Sequence, residues 1–311
     1  MRGKIYITLW TTVLMVGIII SSAVAEQQKP NFCANTSDDA FTSCRFGVHD
    51  DYYLALGKCR NLPTVSERKA CRQEAQEEKQ SGFEECRDQF AARQEVCRTL
   101  GKDPYSPVID PANFVATIDN QYFPLTPGTT FIYEGTTEKG LEHIEVNVTH
   151  DTKVILGVTC TAVRDTVTVE GELVEDTIDW YAQDTAGNVW YFGENSLSYE
   201  DGLIVSLEGS WMAGVDGAKP GVIMKGNPQV GDLYRQEFAL GVAEDMGEVI
   251  GLNQSTTVPK GTYDNCVETK DFSPLEPDAV EHKFYAQGVG TVQEVDVTTL
   301  EHVDLITITT E

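Results

Sequence analysis

Basic residues are scarce where acidic ones are plentiful: from Tyr105 to Glu311 the chain carries 9 Lys and Arg against 35 Asp and Glu. That balance repels nucleic acid and anionic lipid, so polyanionic partners are excluded. Histidine is rare as well. His49, His143, His150, His282 and His302 are scattered, with no HExxH or comparable ligand pair, and seven residues put His143 and His150 on opposite faces of a strand. The sequence also lacks a GxSxG elbow, a phosphate-binding glycine loop ahead of a helix and a CxxC redox pair. No metal and no cofactor is expected. What remains for chemistry is carboxylates, such as Asp176 with Asp179 or Glu244 with Asp245, placed together by chance among so many.

Long apolar runs are missing except at the start. There, Arg2 and Lys4 precede an apolar stretch that ends in Ala23-Val24-Ala25. This is the pattern of a secretory signal peptide over 1–25, with the mature chain starting at Glu26; an uncleaved anchor is the alternative. No cysteine stands at the cleavage point to carry a lipid. The expected location is periplasmic or extracellular, with no stable membrane insertion after cleavage.

Six of the eight cysteines lie between residues 26 and 104. Phe41, Cys44, Val48, Tyr52, Ala55 and Cys59 recur at helical steps over Ser37–Arg60, and Cys71, Ala75, Gly82, Cys86, Phe90 and Cys97 do so over Ser66–Leu100. Ser37 or Asp38 is the expected cap of the first helix, Ser66 that of the second, and Gly101 with Pro104 ends it. The short turn "NLPT" between them makes an antiparallel hairpin. Facing residues of such a hairpin share one index sum, and Cys59 with Cys71, Cys44 with Cys86 and Cys33 with Cys97 all sum to 130. Three nested disulfides follow. Neighbouring rungs stand roughly 16 to 22 Å apart, too far to share a metal. The apolar stripe is thin and broken by Lys79 and Arg93, so the hairpin depends on its staples.

"GKDPYSPVIDPANF" reads as a semi-rigid connection, and 105–128 as linker and lead-in. From Thr129 the period becomes two: "TTFIYEG", "HIEVNVTH", "TAVRDTVTV", "ELVEDTIDWYA", "NVWYFGE", "LIVSLEG", "DLYRQEF", "AVEHKFYA" and "TVQEVDVTTL" are strands joined by short turns. The fold class is therefore α+β: a disulfide-stapled antiparallel helical hairpin over 26–104, then an acidic antiparallel β-sheet domain over 129–311, closed as a barrel or half-barrel. Cys160 and Cys266 are left over in this domain. An oxidising compartment suggests that they form a fourth disulfide, with two buried thiols as the alternative.

The densest chemistry is "DWYAQDTAGNVWYFGE", where alternation puts Trp180 and Tyr181, and then Trp190 and Tyr191, on opposite faces of their strands. Core packing is the favoured reading and the wall of a ligand cavity the other. "YFPLTPGTTFIYEG", "DWYAQDTAGNVWYFGE", "GSWMAGVDGAKPGVIM", "VGDLYRQEF" and "EHKFYAQGVGTVQEV" resemble a family of secreted bacterial proteins that join a Cys-rich helical hairpin to a β domain and have no assigned activity. "VPKGTYDN" with "YAQGVGTV" resembles the beta-clam and LolA/LolB-like envelope proteins, which implies a lipid-cradling half-barrel. The leading reading is a non-catalytic binding or assembly module whose partner is an unknown protein or an apolar small molecule. A hydrolase using carboxylates of the β domain and a carrier of apolar molecules are the alternatives.

Overall fold

The structure, a computed structural model, describes residues 30–311; the signal peptide expected over 1–25 lies outside them. Helices α1 (Phe32–Arg60) and α2 (Val65–Leu100) form the antiparallel hairpin. Disulfides Cys33–Cys97, Cys44–Cys86 and Cys59–Cys71 join them, with Cα separations of 5.6, 5.8 and 5.5 Å, all in the range an unstrained bridge needs. The caps differ from those expected. Asn31 caps α1 by accepting from the Ala34 N–H, so this helix begins earlier and Ser37 sits inside it, buried. Thr64 caps α2, its hydroxyl accepting from the Glu67 N–H at 3.2 Å while Glu67 Oε2 accepts from the Thr64 N–H at 2.9 Å. This reciprocal pair satisfies two end groups at once, which Ser66, already within the helix, cannot do.

The sheet is built in chain order from β1 (Phe114–Val115), β2 (Thr129–Thr137), β3 (Gly140–Ile155), β4 (Val158–Val169), β5 (Glu172–Asp184), β6 (Val189–Glu200), β7 (Leu203–Ser206) and β8 (Trp211–Met212). It continues through β9 (Lys219–Met224), β10 (Leu233–Arg235), β11 (Glu237–Phe238), β12 (Met246–Val258), β13 (Gly261–Phe272), β14 (Val280–Ala286), β15 (Gly290–Asp296) and β16 (His302–Thr310). Every pairing is antiparallel. The order runs β10-β12-β13-β14-β15-β16-β2-β3-β4-β5-β6-β9-β11, with β1, β7 and β8 as side strands.

Because β10 pairs with β12 and β11 with β9, the stretch Leu233–Phe238 crosses from one edge of the sheet to the other and all but closes the barrel. Gly221 makes that crossing fit. A Cβ there would stand 2.3 Å from the Gln236 carbonyl oxygen and 2.4 Å from that of Arg235. The segment read as linker and lead-in is docked on the barrel: Tyr105 Oη donates to the Pro220 carbonyl at 2.8 Å, β1 pairs with β5, and the Asn120 side chain donates to the carbonyls of Gly187 and Lys225.

Cys160 and Cys266 do not pair, which corrects the expectation of a fourth disulfide. Both thiols are buried and free, Cys160 on β4 in one apolar cluster and Cys266 on β13 in another. Their strands, β4 and β13, stand far apart in the strand order. Non-reducing peptide mapping should return the three hairpin bridges alone, and alkylation should reach Cys160 and Cys266 only after denaturation. Labelling of either thiol at the rate of a small-molecule thiol in native buffer would contradict their burial.

Candidate functional site

The barrel interior holds a cavity of about 310 Å3. Phe123, Phe131, Ile144, Val146 and Val303 supply apolar wall, Tyr133, Tyr181, Tyr191 and Tyr285 add rings with polar tips, and six carboxyls meet a single cation, Lys283. The carboxyls are Asp165, Asp179, Glu237, Asp245, Asp271 and Glu294. A second hollow of about 500 Å3 shares Gln236, Glu237, Asp245, Asp271 and Lys283 with the first, and adds Glu175, Glu194, Glu276 and Glu281. The two spaces meet at an acidic shelf.

A β-bulge sets the chemistry of this shelf. Asp179 faces Glu194 and Tyr181 faces Tyr191, so on β6 two residues, Phe192 and Gly193, stand opposite Trp180 alone. Strict alternation would put Tyr191 and Glu194 on opposite faces; the extra residue returns both to the same one. Gly193 permits it, since its φ is +139° and a Cβ would lie 2.4 Å from the Trp211 carbonyl oxygen. Tyr191 Oη then donates to Asp179 Oδ1, and the Tyr181 and Tyr191 rings stack at 4.7 Å.

Acceptors outnumber donors here. Gln236 Nε2 and Thr269 Oγ1 both donate to Asp271, at 2.9 and 2.6 Å. Lys283 Nζ lies 3.4 Å from Glu281, 3.5 Å from Glu294 and 4.0 Å from Asp271. Glu237 Oε2 and Asp165 Oδ1 have no partner among the described residues, although Glu237 is only 6% exposed. Such atoms carry the full cost of lost hydration.

The titration of the cluster follows. Burial lifts Asp179 to about 8, against the pull of the Tyr191 hydroxyl and with the push of Glu194 and Glu175. Burial lifts Glu194 to about 7, again with Tyr191 opposing. Glu237 is held well above the carboxylate range by burial, then by Asp245 and Glu194. Asp165 is raised by burial and by Asp179. Burial would lower the Lys283 ammonium, but Glu294, Glu281 and Asp271 together outweigh it and raise it.

The structure divides the aromatic residues singled out in the sequence. Tyr181 and Tyr191 line the interior cavity, whereas Trp190 lines a separate hollow beside the hairpin. Trp190 donates its indole N–H to Asp184 Oδ2 at 2.9 Å, within the "DTAGN" turn. Trp180 is buried in the apolar cluster that holds Cys160, with Lys153 Nζ 3.6 Å above its ring. The carboxyls of the shelf went unnamed in the sequence, apart from Asp179 and Asp245, because nothing in a run of alternating residues marks which acids face inward. Among the described residues no group of three or more His, Cys, Asp or Glu converges as a metal site, and no helix is long and apolar enough to cross a membrane.

No family model and no curated protein matches the chain. One solved structure is similar: a "putative lipoprotein" from Parabacteroides distasonis ATCC 8503, 15% identical, covering 60% of this chain and 98% of its own, with a TM-score of 0.35. A likeness that slight carries neither fold nor function.

Proposed function

We propose that the barrel is a non-catalytic binding module for a small amphipathic molecule with a cationic head. Glu237 carries this reading: a buried carboxyl between the two hollows, whose Oε2 has no hydrogen-bond partner among the described residues and has only the Trp211 indole N–H and the Asp245 carboxyl to moderate it. An ammonium group would meet Glu237 and Asp165 while its apolar body lay against Phe123, Phe131 and the tyrosines, whose ring faces also attract cations. The cavity is at the small end of ligand-binding sizes. The acidic outer hollow and the net charge of −26 favour cation approach. Three disulfides and the secretory N-terminal pattern support an oxidising, extracytoplasmic setting.

Calorimetry of the mature chain with octylamine, octanol and octanoate tests this. Octylamine should bind, Glu237→Gln should weaken it at least about tenfold, and affinity should rise from pH 6 to pH 8 as Glu194 and Asp179 release their protons. Equal binding of octanol would remove the cationic head from the proposal.

A second reading rests on Asp179 and Glu194, cross-strand partners that both titrate near neutrality and so are suited to acid–base work. If the barrel turns over what it binds, Asp179→Asn will abolish conversion of a bound compound and leave its affinity within a few-fold. Under the binding reading, bound octylamine is recovered unchanged.

A further inference from the structure

A cavity of about 600 Å3 lies in the seam where the hairpin meets the barrel, apart from the interior site. Its polar character is the reverse of the interior's. Buried atoms of its lining residues without a partner among the described residues include Ser37 Oγ, Arg93 Nη1 and Arg235 Nε. The two guanidinium nitrogens can only donate, and the Ser37 hydroxyl can. Arg93 spends Nε and Nη2 on Glu244, at 2.9 and 2.8 Å, which leaves Nη1 over.

Arg235 is the more unusual of the two. It is 9% exposed, and its contacts are Met246 Sδ at 3.8 Å and the rings of Phe238 and Tyr105, at 4.7 and 5.5 Å from Cζ. A buried cation without a carboxylate at ion-pair distance is costly unless something supplies the negative charge. Burial lowers its pKa, and the more distant Glu244 and Tyr105 only partly offset this. The other charges are accounted for: Lys219 donates to the Tyr105 carbonyl, and Asp103 and Asp216 stand exposed at the rim. Val96, Leu100, Trp190, Val222 and Leu233 make the remaining wall largely apolar.

We propose that this seam binds a single-chain amphiphile by its anionic head, a carboxylate or a phosphate seated on Arg93 and Arg235, with the aliphatic tail along the apolar wall. The volume exceeds what a bare anion fills, and unpaired guanidinium donors from both the hairpin and the barrel suit an oxyanion rather than an alcohol. Ser37 would complete the contacts to the head. Both the hairpin and the barrel supply donors, so an occupant would bridge them.

The test uses the mature, disulfide-bonded chain, with binding read by calorimetry and by the thermal transition. Decanoate and decyl phosphate should bind and raise the midpoint, whereas decanol and inorganic phosphate at the same concentration should do neither. Arg235→Met should weaken decanoate at least about tenfold and raise the midpoint of the free protein, because an unpaired buried charge is gone. Ser37→Ala should weaken it by about three- to tenfold with the fold intact. Decanol binding as well as decanoate would overturn the role of the anionic head, and inorganic phosphate binding as well as decyl phosphate would overturn that of the tail. If no anion binds, or if Arg235→Met lowers the free protein's midpoint and leaves decanoate affinity unchanged, Arg235 is structural and the proposal fails.

Discussion

Glu244→Ala is expected to cost the fold about 3–5 kcal/mol, the scale of breaking a buried ion pair from one side. Glu244 is 1% exposed and Arg93 6%, and their two hydrogen bonds are the bidentate kind that fixes geometry as well as charge. Gly241 also donates its N–H to Glu244 Oε1 at 2.8 Å, so the carboxylate holds the loop between β11 and β12 as well. Its loss leaves Arg93 without its partner and Arg235 without the negative charge nearest to it. Arg93→Met should cost less, since the methionine fills space and Glu244 keeps the Gly241 amide.

Combining Arg93→Met with Glu244→Leu should cost less than the two single changes added together, because neither charge is then stranded. Urea unfolding of the four proteins checks this. A loss below about 1 kcal/mol for Glu244→Ala would mean that the pair is hydrated and the seam looser than its geometry indicates. The hairpin and barrel also meet at Gln89, whose side-chain amide donates to the Leu275 carbonyl at 3.0 Å, so α2 is attached at two successive turns.

Arg93 shows how far the sequence could be read. In the helical pattern it interrupts a thin apolar stripe, which argues for a hairpin dependent on cross-links; in the structure that interruption is the anchor to the barrel. The anchor's partner lies 151 residues away, and helical periodicity has no view of so distant a carboxylate. The disulfides were legible for the opposite reason. An antiparallel hairpin with one short turn fixes every facing pair by a constant index sum, so three pairs confirm one register.

The sheet was legible where alternation is clean, as in β2, β4 and β14. It was not in β12, where glycines at 247 and 251, a polar run from Asn253 to Thr257 and three shifts of register break the period. "DLYRQEF" reads as one strand, whereas the structure divides it into β10 and β11, three and two residues long, which pair with opposite edges and close the barrel, a division that alternation does not mark. The acidic shelf depends on the bulge at Phe192 and Gly193, whose effect is to move Glu194 to the face that a period of two denies it. A glycine within an aromatic strand was the one available sign.

The last expectation is that the protein loses stability as the solution is made alkaline from pH 5 to pH 8.5. Asp179 has an ordinary value of 3.8 and stands at about 8 when folded. In the interval between, the folded chain holds a proton that the unfolded chain releases, so each step upward in pH favours unfolding. At about 1.4 kcal/mol per unit, Asp179 alone accounts for up to roughly 6 kcal/mol, fully present below pH 4 and gone above pH 8. Glu194, raised from 4.5 to about 7, adds to the same slope over a narrower window. Asp165 and Glu237 are raised too and act in the same sense. Lys283 does not oppose them, because its own pKa is raised above 10.5 and its proton stays on throughout. Asp179→Asn keeps an acceptor for the Tyr191 hydroxyl but has no proton to lose. Its stability should vary less with pH than the parent's, and above pH 8 it should be the more stable of the two. Denaturant melts at pH 5, 6.5 and 8.5 give the comparison. A parent that gains stability across this range, or a variant with the parent's slope, would show that Asp179 is ionised in a wet interior and would remove the acidic shelf as a proton-holding site.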